Sequence, residues 1–384
     1  MQNKKVALFA TNFLEFSQTF IYDEIRCHKN YDVDVFALYR LNADVFPYEK
    51  VHSFFPSKSL KQSIEGNWCQ ITALSPTREN LVKNGGYSLI HAHFGTGSIY
   101  ALSAADAADL PLVVTFHGYD VPVLKTYRRF FPAFWRYWLM SGRMFRRVDL
   151  FLAASDELKE MLIELGAPAE KVLTWRLGVE IPVINEIPER KGNRMIMVGR
   201  FVEKKGFEYA LEAFAKVIKN GTDAVLEIVG DGPRKEHYIS MIKRLGIEKN
   251  VIFHGVKRHS EVLDMILHSD VLLAPSVVAC NGDRESGILV VKEAGARYVP
   301  SIGTVHGGIP EIIDHGETGF LVKEKDIDDM ADKMLLLLKD GKLRKQMGEA
   351  ARRKMESEYS LPGRVAVLES HYDSVIEKFK GLKK

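Results

Sequence analysis

Cysteine, net charge and long apolar runs are all scarce in this chain of 384 residues, and each scarcity excludes something. The 3 cysteines, Cys27, Cys69 and Cys280, are odd in number, far apart and in no metal-ligand spacing. That argues against a disulfide scaffold and a structural zinc site, and fits a reducing cytosol. Lysine plus arginine number 53 against 50 aspartate plus glutamate, leaving +3. So even a balance excludes a dedicated nucleic-acid binder. No run approaches the ~20 apolar residues of a spanning helix, and the apolar stretch 6–10 behind Lys4 and Lys5 is too short for a signal peptide. A cytoplasmic protein is the expectation.

What is abundant is apolar sequence, 46% of the chain, enough for large cores and against disorder. The length favours two domains at roughly 150 residues each. Apolar runs of strand length recur near 6–10, 33–38, 89–93, 112–116 and 150–154, then near 194–198, 224–229, 251–254, 271–274 and 320–322. Helical patterns alternate with them, at 19–28, 156–165, 207–219, 234–245, 261–267 and 289–297. This alternation predicts βαβ units and parallel sheets buried on both faces. It pauses at 180–192, where Pro182, Pro188 and Gly192 sit among polar residues and neither element can continue. The reading is α/β: two Rossmann-like doubly wound domains, 1–182 and 193–363, joined by a linker at 183–192. After 322 the chain turns helical, with patterns at 326–339, 342–358 and 364–379. Ligands of open parallel sheets bind at the carboxyl ends of strands, so the chemistry is expected in a cleft that the two domains face.

Four segments of the second half stand at strand-to-helix turns. The first runs from Gly199 through Arg200 and Lys205 to Gly206. Its glycines allow close backbone approach and its two cations stand near a helix start, which suits a diphosphate; a solvated basic loop explains the same residues. The second, Gly230-Asp-Gly-Pro233, is either a ligand turn or a plain proline-started helix. The third spans 281–293. It places Glu285 in a loop and Glu293 two turns into a helix, about 12 Å apart along the axis. Two such carboxylates can hold opposite ends of an elongated ligand, with the amides of Gly287, Ile288 and Leu289 facing its anionic middle. A nucleotide sugar has that shape. The fourth, from Gly303 to Glu311, is a glycine-rich turn that fits a phosphate loop or a tight connection.

Taken in order, Arg200…Lys205-Gly206, Gly230-Asp-Gly-Pro233, Glu285-x7-Glu293 and Gly-Gly-Ile-Pro-Glu311 resemble glycosyltransferase family 4. In the first half, Phe16-Ser-Gln-Thr-Phe-Ile21, His91-Ala-His-Phe-Gly95 and Thr115-Phe-His-Gly-Tyr-Asp120 are similar to its bacterial exopolysaccharide branch, which includes the colanic acid and amylovoran enzymes. The resemblance implies the GT-B fold and a retaining, metal-independent transfer from a nucleoside diphosphate sugar to a polysaccharide or lipid-linked oligosaccharide. It implies a second domain that binds the donor, a first that binds the acceptor, and a last helix, 364–384, that crosses back to the first. Arg200 and Lys205 would hold the diphosphate and neutralise its departing charge. Glu285 would lie by the donor sugar, Glu293 by the ribose, and the amides of Gly287, Ile288 and Leu289 near phosphate and sugar. His117 would reach the sugar from the first domain. Gly199, Gly230 and the turn carrying Val256 and Lys257 complete the donor site; Ser17, Gln18, Thr19, His91, His93 and Asp120 make up the acceptor side. No protein nucleophile and no cofactor are implied. Two positions depart from the pattern: Ser286, where a small residue is frequent, and Lys292, where leucine is common.

Other features point elsewhere. His91 and His93 share one face of an extended strand; lacking carboxylate or cysteine partners in a ligand pattern, they read better as hydrogen-bonding groups near the acceptor cleft than as metal ligands, with satisfied core histidines as the competing reading. Asp32-Val-Asp34 resembles a metal-binding Asp-x-Asp but sits on a strand. Gly95-x-Gly97 starts a dinucleotide fingerprint and lacks its third glycine. The stretch 122–148 holds seven lysines and arginines, eight aromatics and no acid. It suits an anionic membrane surface at the inner face of the cell membrane, or a lipid-diphosphate acceptor; a buried helix with its aromatics in the core explains it equally. A nucleotide-sugar epimerase of the same fold and a non-catalytic nucleotide-sugar-binding scaffold are the alternatives to a transferase.

Overall fold

Every residue of Leu89–His93, Leu112–Phe116 and Val271–Ala274 is buried, the condition of strands in a parallel sheet covered by helices on both faces. In the computed structural model, which describes residues 3–382, these runs are central strands of two sheets. The first sheet contains β1 (Lys4–Phe13), β2 (Tyr31–Arg40), β3 (Val51–Phe55), β4 (Leu89–His93), β5 (Leu112–Phe116), β6 (Leu150–Ala153) and β7 (Val172–Thr174). The second contains β8 (Arg194–Val198), β9 (Val225–Val229), β10 (Val251–Gly255), β11 (Val271–Ala274), β12 (Ser301–Thr304) and β13 (Gly319–Val322). The orders are 3-2-1-4-5-6-7 and 10-9-8-11-12-13, and the paired strands are parallel throughout. Each sheet is doubly wound. Its order reverses between β1 and β4 in one and between β8 and β11 in the other, and the carboxyl ends of those pairs are the switch points where such sheets take ligands.

The chain divides into two compact units, one reaching Gly178 and taking up the chain again from Leu361, the other Val179–Ser360. The proline-rich stretch lies within the second unit. Its polar appearance conceals an anchor: Arg190 donates to the carbonyls of Leu267, Arg297 and Tyr298, and the Gly192 amide donates to Asp270 at 2.9 Å. The Val179 amide donates to the Tyr359 carbonyl at 2.8 Å, which sets the boundary a few residues before Pro182.

The helix Leu361–Gly381 belongs to the first unit and starts three residues earlier than its pattern suggested. Glu369 holds it there, accepting from the amides of Lys29 and Asn30 at 2.8 and 3.0 Å and from the Asn30 side chain at 2.6 Å. One helical turn on, the Tyr372 hydroxyl meets His91 Nδ1 at 2.6 Å, and Asp373 accepts from Tyr31 at 2.6 Å.

Three strands carry weak signals in the sequence. β3 and β7 are sheet edges, so one flank of each needs no apolar partner. β12 is buried throughout yet built from Ser301, Ile302, Gly303 and Thr304. A Cβ on Gly303 would lie 2.6 Å from Ile309 Cγ2, so close packing of the following turn selects a residue without a side chain.

Candidate active site

In the second unit the loops after β8 and β11 are tied together. The Val277 amide donates to the Lys204 carbonyl at 2.9 Å and the Cys280 amide to Glu203 at 3.0 Å. Gly206, at φ +61°, admits this approach: a Cβ there would lie 1.9 Å from the Pro275 carbonyl oxygen. The clamp brings Lys205 Nζ to 3.1 Å from Glu285 Oε2 and Lys204 Nζ to 3.4 Å from Glu285 Oε1. Lys204 also reaches Asp283 and the Arg284 carbonyl, each at 3.3 Å. Burial raises the proton affinity of the Glu285 carboxyl, but the Lys205 and Lys204 charges outweigh it and hold the group at about 2. For Lys204, burial works against the charge while Glu285 and Asp283 raise its affinity above the ordinary value. Arg200, directly after β8, is exposed, with no ion-pair partner among the described residues.

Glu285 is held from behind. Its amide donates to His306 Nε2 at 3.0 Å, His306 Nδ1 meets Glu324 at 2.7 Å, and Glu324 accepts from the Val278 amide at 3.1 Å. An imidazole that accepts at Nε2 carries its hydrogen on Nδ1, which is the tautomer that donates to Glu324. Nothing in the sequence pointed to Glu324; Lys204 and His306 stood within the 199–206 and 303–311 turns without a role. Glu293 meets His259 Nε2 at 2.7 Å, a partner the sequence also concealed. His259 begins the helix that follows the turn of Val256 and Lys257, so that turn and Glu293 are neighbours. Gly230 packs on the Gly199 loop, where a Cβ would lie 2.0 Å from the Gly199 carbonyl oxygen. The helix after Glu285 is shorter than its pattern suggested: it starts at Leu289, behind Ile288 and Gly287, and ends at Gly295. The unusual Lys292 is buried with its ammonium 4.8 Å from the Tyr359 ring centroid, a cation–π contact that explains a cation where leucine is common.

In the first unit the structure separates the residues assigned to the acceptor. Ser17 is exposed, Gln18 and Thr19 are half-buried, and Gln18 lines a cavity of about 160 Å³ at the carboxyl ends of β1 and β4. Thr11, Glu15, Phe94, Tyr119, Phe134 and Arg136 also line it. His91, His93 and Asp120 are wholly buried, which corrects the expectation that they meet an acceptor directly. Asp120 accepts from the amides of Gly95 and Gly118 at 2.9 and 3.0 Å, and burial pushes its carboxyl up to about 6 against those donors. His93 Nδ1 lies 2.9 Å from His117 Nε2. Burial, and then His93, hold the His117 imidazole well below its ordinary proton affinity, so it is neutral. Glu24, which the sequence did not flag, is buried beside His91 and His93 and supplies the carboxylate neighbour that the spacing lacked. Asp34 accepts from the Tyr87 hydroxyl at 2.7 Å and so has a structural role on its strand.

Residues 19–181 match the family model described as Glycosyltransferase Family 4, and residues 181–354 the model described as Glycosyl transferases group 1. The N-acetyl-alpha-D-glucosaminyl L-malate synthase of Bacillus anthracis is 36% identical over 321 residues, which is 80% of either chain. The chain belongs to glycosyltransferase family 4. WcaL of Salmonella typhimurium, a glycosyltransferase assigned to colanic acid biosynthesis, is 31% identical over 248 residues, 63% of this family 4 chain. That match spans 59% of WcaL's own length. The structure of HepE from Anabaena, 18% identical, superimposes with a TM-score of 0.74 over 97% of this chain and 100% of its own, and so shares the GT-B fold.

The basic aromatic stretch of this glycosyltransferase proves mixed. Tyr137 and Phe145 of the helix Trp135–Arg147 enter the core, while Tyr127, Phe130, Phe131, Trp135 and Trp138 are exposed. Arg143 and Arg147 pair with Asp106.

The depressed Glu285 carboxyl gives a signed pH effect. A folded-state value of about 2 against an ordinary 4.5 is stability present above pH 4.5 and lost as pH falls toward 2. Wild type is therefore expected to exceed Glu285→Gln in unfolding free energy by up to about 3 kcal/mol at pH 7. Urea titrations at stepped pH should show that gap closing below pH 4.5. A gap that is constant with pH removes the ion pair as its source.

Proposed function

We propose that the protein transfers a sugar, with retention and without a metal ion, from a nucleoside diphosphate sugar to a polysaccharide or lipid-linked oligosaccharide. The observation that carries this reading is Glu285 held between Lys204 and Lys205 at the switch point of the second sheet, with the exposed Arg200 in the same loop as the two lysines. Arg200, Lys204 and Lys205 put three cations in the one loop where a diphosphate leaving group would accumulate negative charge, the role a metal ion plays in other transferases. Lys205 exchanges part of its contact with Glu285 for a phosphate oxygen, and Glu285 turns to the donor sugar. Glu293, with His259, meets the ribose hydroxyls. HepE, with the same fold, has been solved with UDP and with UDP-glucose, which supports a nucleotide sugar as the donor here. The acceptor lies in the cavity around Gln18, whose aromatic walls suit sugar rings and whose Arg136 suits an anionic acceptor.

The acceptor's lipid supports contact with an anionic membrane surface. Beside the exposed aromatics of the basic stretch, the helix Leu60–Thr72 turns Leu60, Ile64, Trp68 and Ile71 outward, 78, 62, 54 and 67% exposed, at a helical spacing that forms one stripe. An outward apolar stripe with cations near it is the pattern of a helix lying in the interface. Among the described residues no helix is long and apolar enough to cross a membrane.

Lys205→Ala and Glu285→Ala are each expected to reduce transfer by about 10²–10³-fold while the purified proteins remain folded. The assay is a panel of nucleotide sugars with lipid extract as acceptor, read by mass spectrometry, and EDTA should leave the rate unchanged. Wild-type turnover by either variant refutes the roles assigned. Separately, Trp68→Ser combined with Trp135→Ser should lose sedimentation with phosphatidylglycerol vesicles that wild type shows. Equal sedimentation of the two proteins rejects the membrane contact.

A further inference from the structure

The glycine-rich turn 303–311 meets no ligand in the transfer proposed above, and its polar side chains serve the loop after β11 instead. The Thr304 hydroxyl donates to the Ser276 carbonyl, and His306 Nε2 accepts from the Glu285 amide at 3.0 Å. On its other side His306 Nδ1 meets Glu324 Oε1 at 2.7 Å. Glu324 stands two residues after β13, and its second oxygen, Oε2, accepts from the Val278 amide at 3.1 Å. The neighbouring Val277 amide donates to the Lys204 carbonyl at 2.9 Å. All of these groups lie in the second unit. One carboxylate thus has an arm on each side of the Glu285 ion pair. Through His306 it reaches the backbone of Glu285, and through Val278 it reaches the segment bonded to the backbone of Lys204.

A carboxylate brings no hydrogen of its own, so both contacts of Glu324 need donors. His306 therefore carries its hydrogen on Nδ1, and its Nε2 is the lone pair that takes the Glu285 amide. Both ring nitrogens are occupied and the residue is 3% exposed, which leaves this histidine nothing to offer a phosphate. With the hydrogen on Nε2 instead, an N–H would face an N–H and the Glu285 backbone would have to move, carrying its side chain along. The Glu285 carboxylate stands 3.1 Å from Lys205 and 3.4 Å from Lys204. A displacement of about 1 Å breaks both contacts, and misplacement of that size costs a reaction about 10²-fold.

We propose that Glu324 and His306 are positioning residues for the transfer: the Glu324 carboxylate sets the tautomer of His306 and the path of the Val278 segment, and so holds Glu285 and the two lysines in register for the donor. The inference rests on the role assigned to Glu285 above. It gives the two residues different weights. His306 acts on the carboxylate side of the ion pair alone, so its loss slows transfer while the cation loop still binds a diphosphate. Glu324 acts on both sides, so its loss costs transfer and diphosphate binding together. The amide substitutions are unequal as well. His306→Gln keeps both links, its oxygen accepting from the Glu285 amide and its nitrogen donating to Glu324. Glu324→Gln has one oxygen for two donors, and whichever way it turns, its NH2 faces either the Val278 amide or His306 Nδ1.

The test is nitrogen-15 NMR of protein labelled at histidine, where protonated and bare ring nitrogens are resolved, joined to transfer kinetics and to calorimetric titration with UDP and GDP. Wild type should show His306 protonated on Nδ1 and bare on Nε2, identified as the signal that His306→Gln lacks. His306→Leu should lower kcat by about 10²-fold and keep diphosphate affinity within about threefold, and His306→Gln should recover at least about tenfold of that loss. Glu324→Gln should lose at least about tenfold in kcat, and Glu324→Leu should also weaken the diphosphate by at least about fivefold. Because the two residues form one chain, adding His306→Leu to Glu324→Leu should cost little more. The inference is overturned if wild type carries hydrogen on His306 Nε2, if His306→Gln is as slow as Glu324→Gln, or if Glu324→Gln transfers at the wild-type rate; none of these needs His306→Leu to fold. Wild-type transfer by Glu285→Ala would strike the role of Glu285 and with it the positioning role, while the tautomer seen by NMR would stand.

Discussion

A single carboxylate between two ammonium groups organises the second unit. Glu285 sits in a loop that no regular element holds, and its position follows from Lys204 and Lys205 on one side and the His306–Glu324 pair behind its backbone. Water is largely excluded, and the second lysine keeps Glu285 compensated when one contact is given up. The glycines follow from this constraint. Gly206 is needed because the two loops must touch for the ion pair to form, and Gly230 because the neighbouring turn packs on Gly199. A pair so arranged can also be opened: an incoming diphosphate offers Lys205 an equivalent anion, so donor binding replaces one charge contact with another.

The first unit uses a different device. Its polar residues are drawn inside and connected, from the C-terminal helix through Tyr372 to His91, and from Glu24 through His93 to His117. The helix Leu361–Gly381 thus does more than cover a sheet face, because the hydroxyl it contributes satisfies the buried His91. Buried polar networks of this kind specify geometry when every member is satisfied. Here Glu24, His93 and His117 each keep a buried atom without a hydrogen-bond partner among the described residues.

The legible parts of the sequence were those with a period or a motif. Continuous apolar runs such as 89–93 and 271–274 announced buried parallel strands, and the order of the glycine turns identified the family before any coordinates. β12 was missed because its burial rests on a glycine and two hydroxyl residues in place of apolar bulk. Lys205 and Glu285 were found as members of separate motifs, but their contact joins residues 80 apart in the chain, and the Glu324 support had no local signature. His91 and His93 were noticed for their alternation, and of the two surroundings the sequence offered the core is the one found; Glu24 arrives from another helix, which spacing along one strand does not report. The aromatic stretch was ambiguous for a physical reason, since the same helix sends Tyr137 inward and Trp135 and Trp138 outward.

The account stands on the claim that the cations of the β8 loop recognise a diphosphate. Calorimetric titration with uridine or guanosine as nucleoside, monophosphate and diphosphate measures this directly. For whichever base the protein accepts, affinity should rise sharply at the second phosphate, and that increment should vanish in Arg200→Ala with Lys205→Ala. A nucleoside that binds as tightly as its diphosphate, or an increment that survives the double substitution, would contradict it.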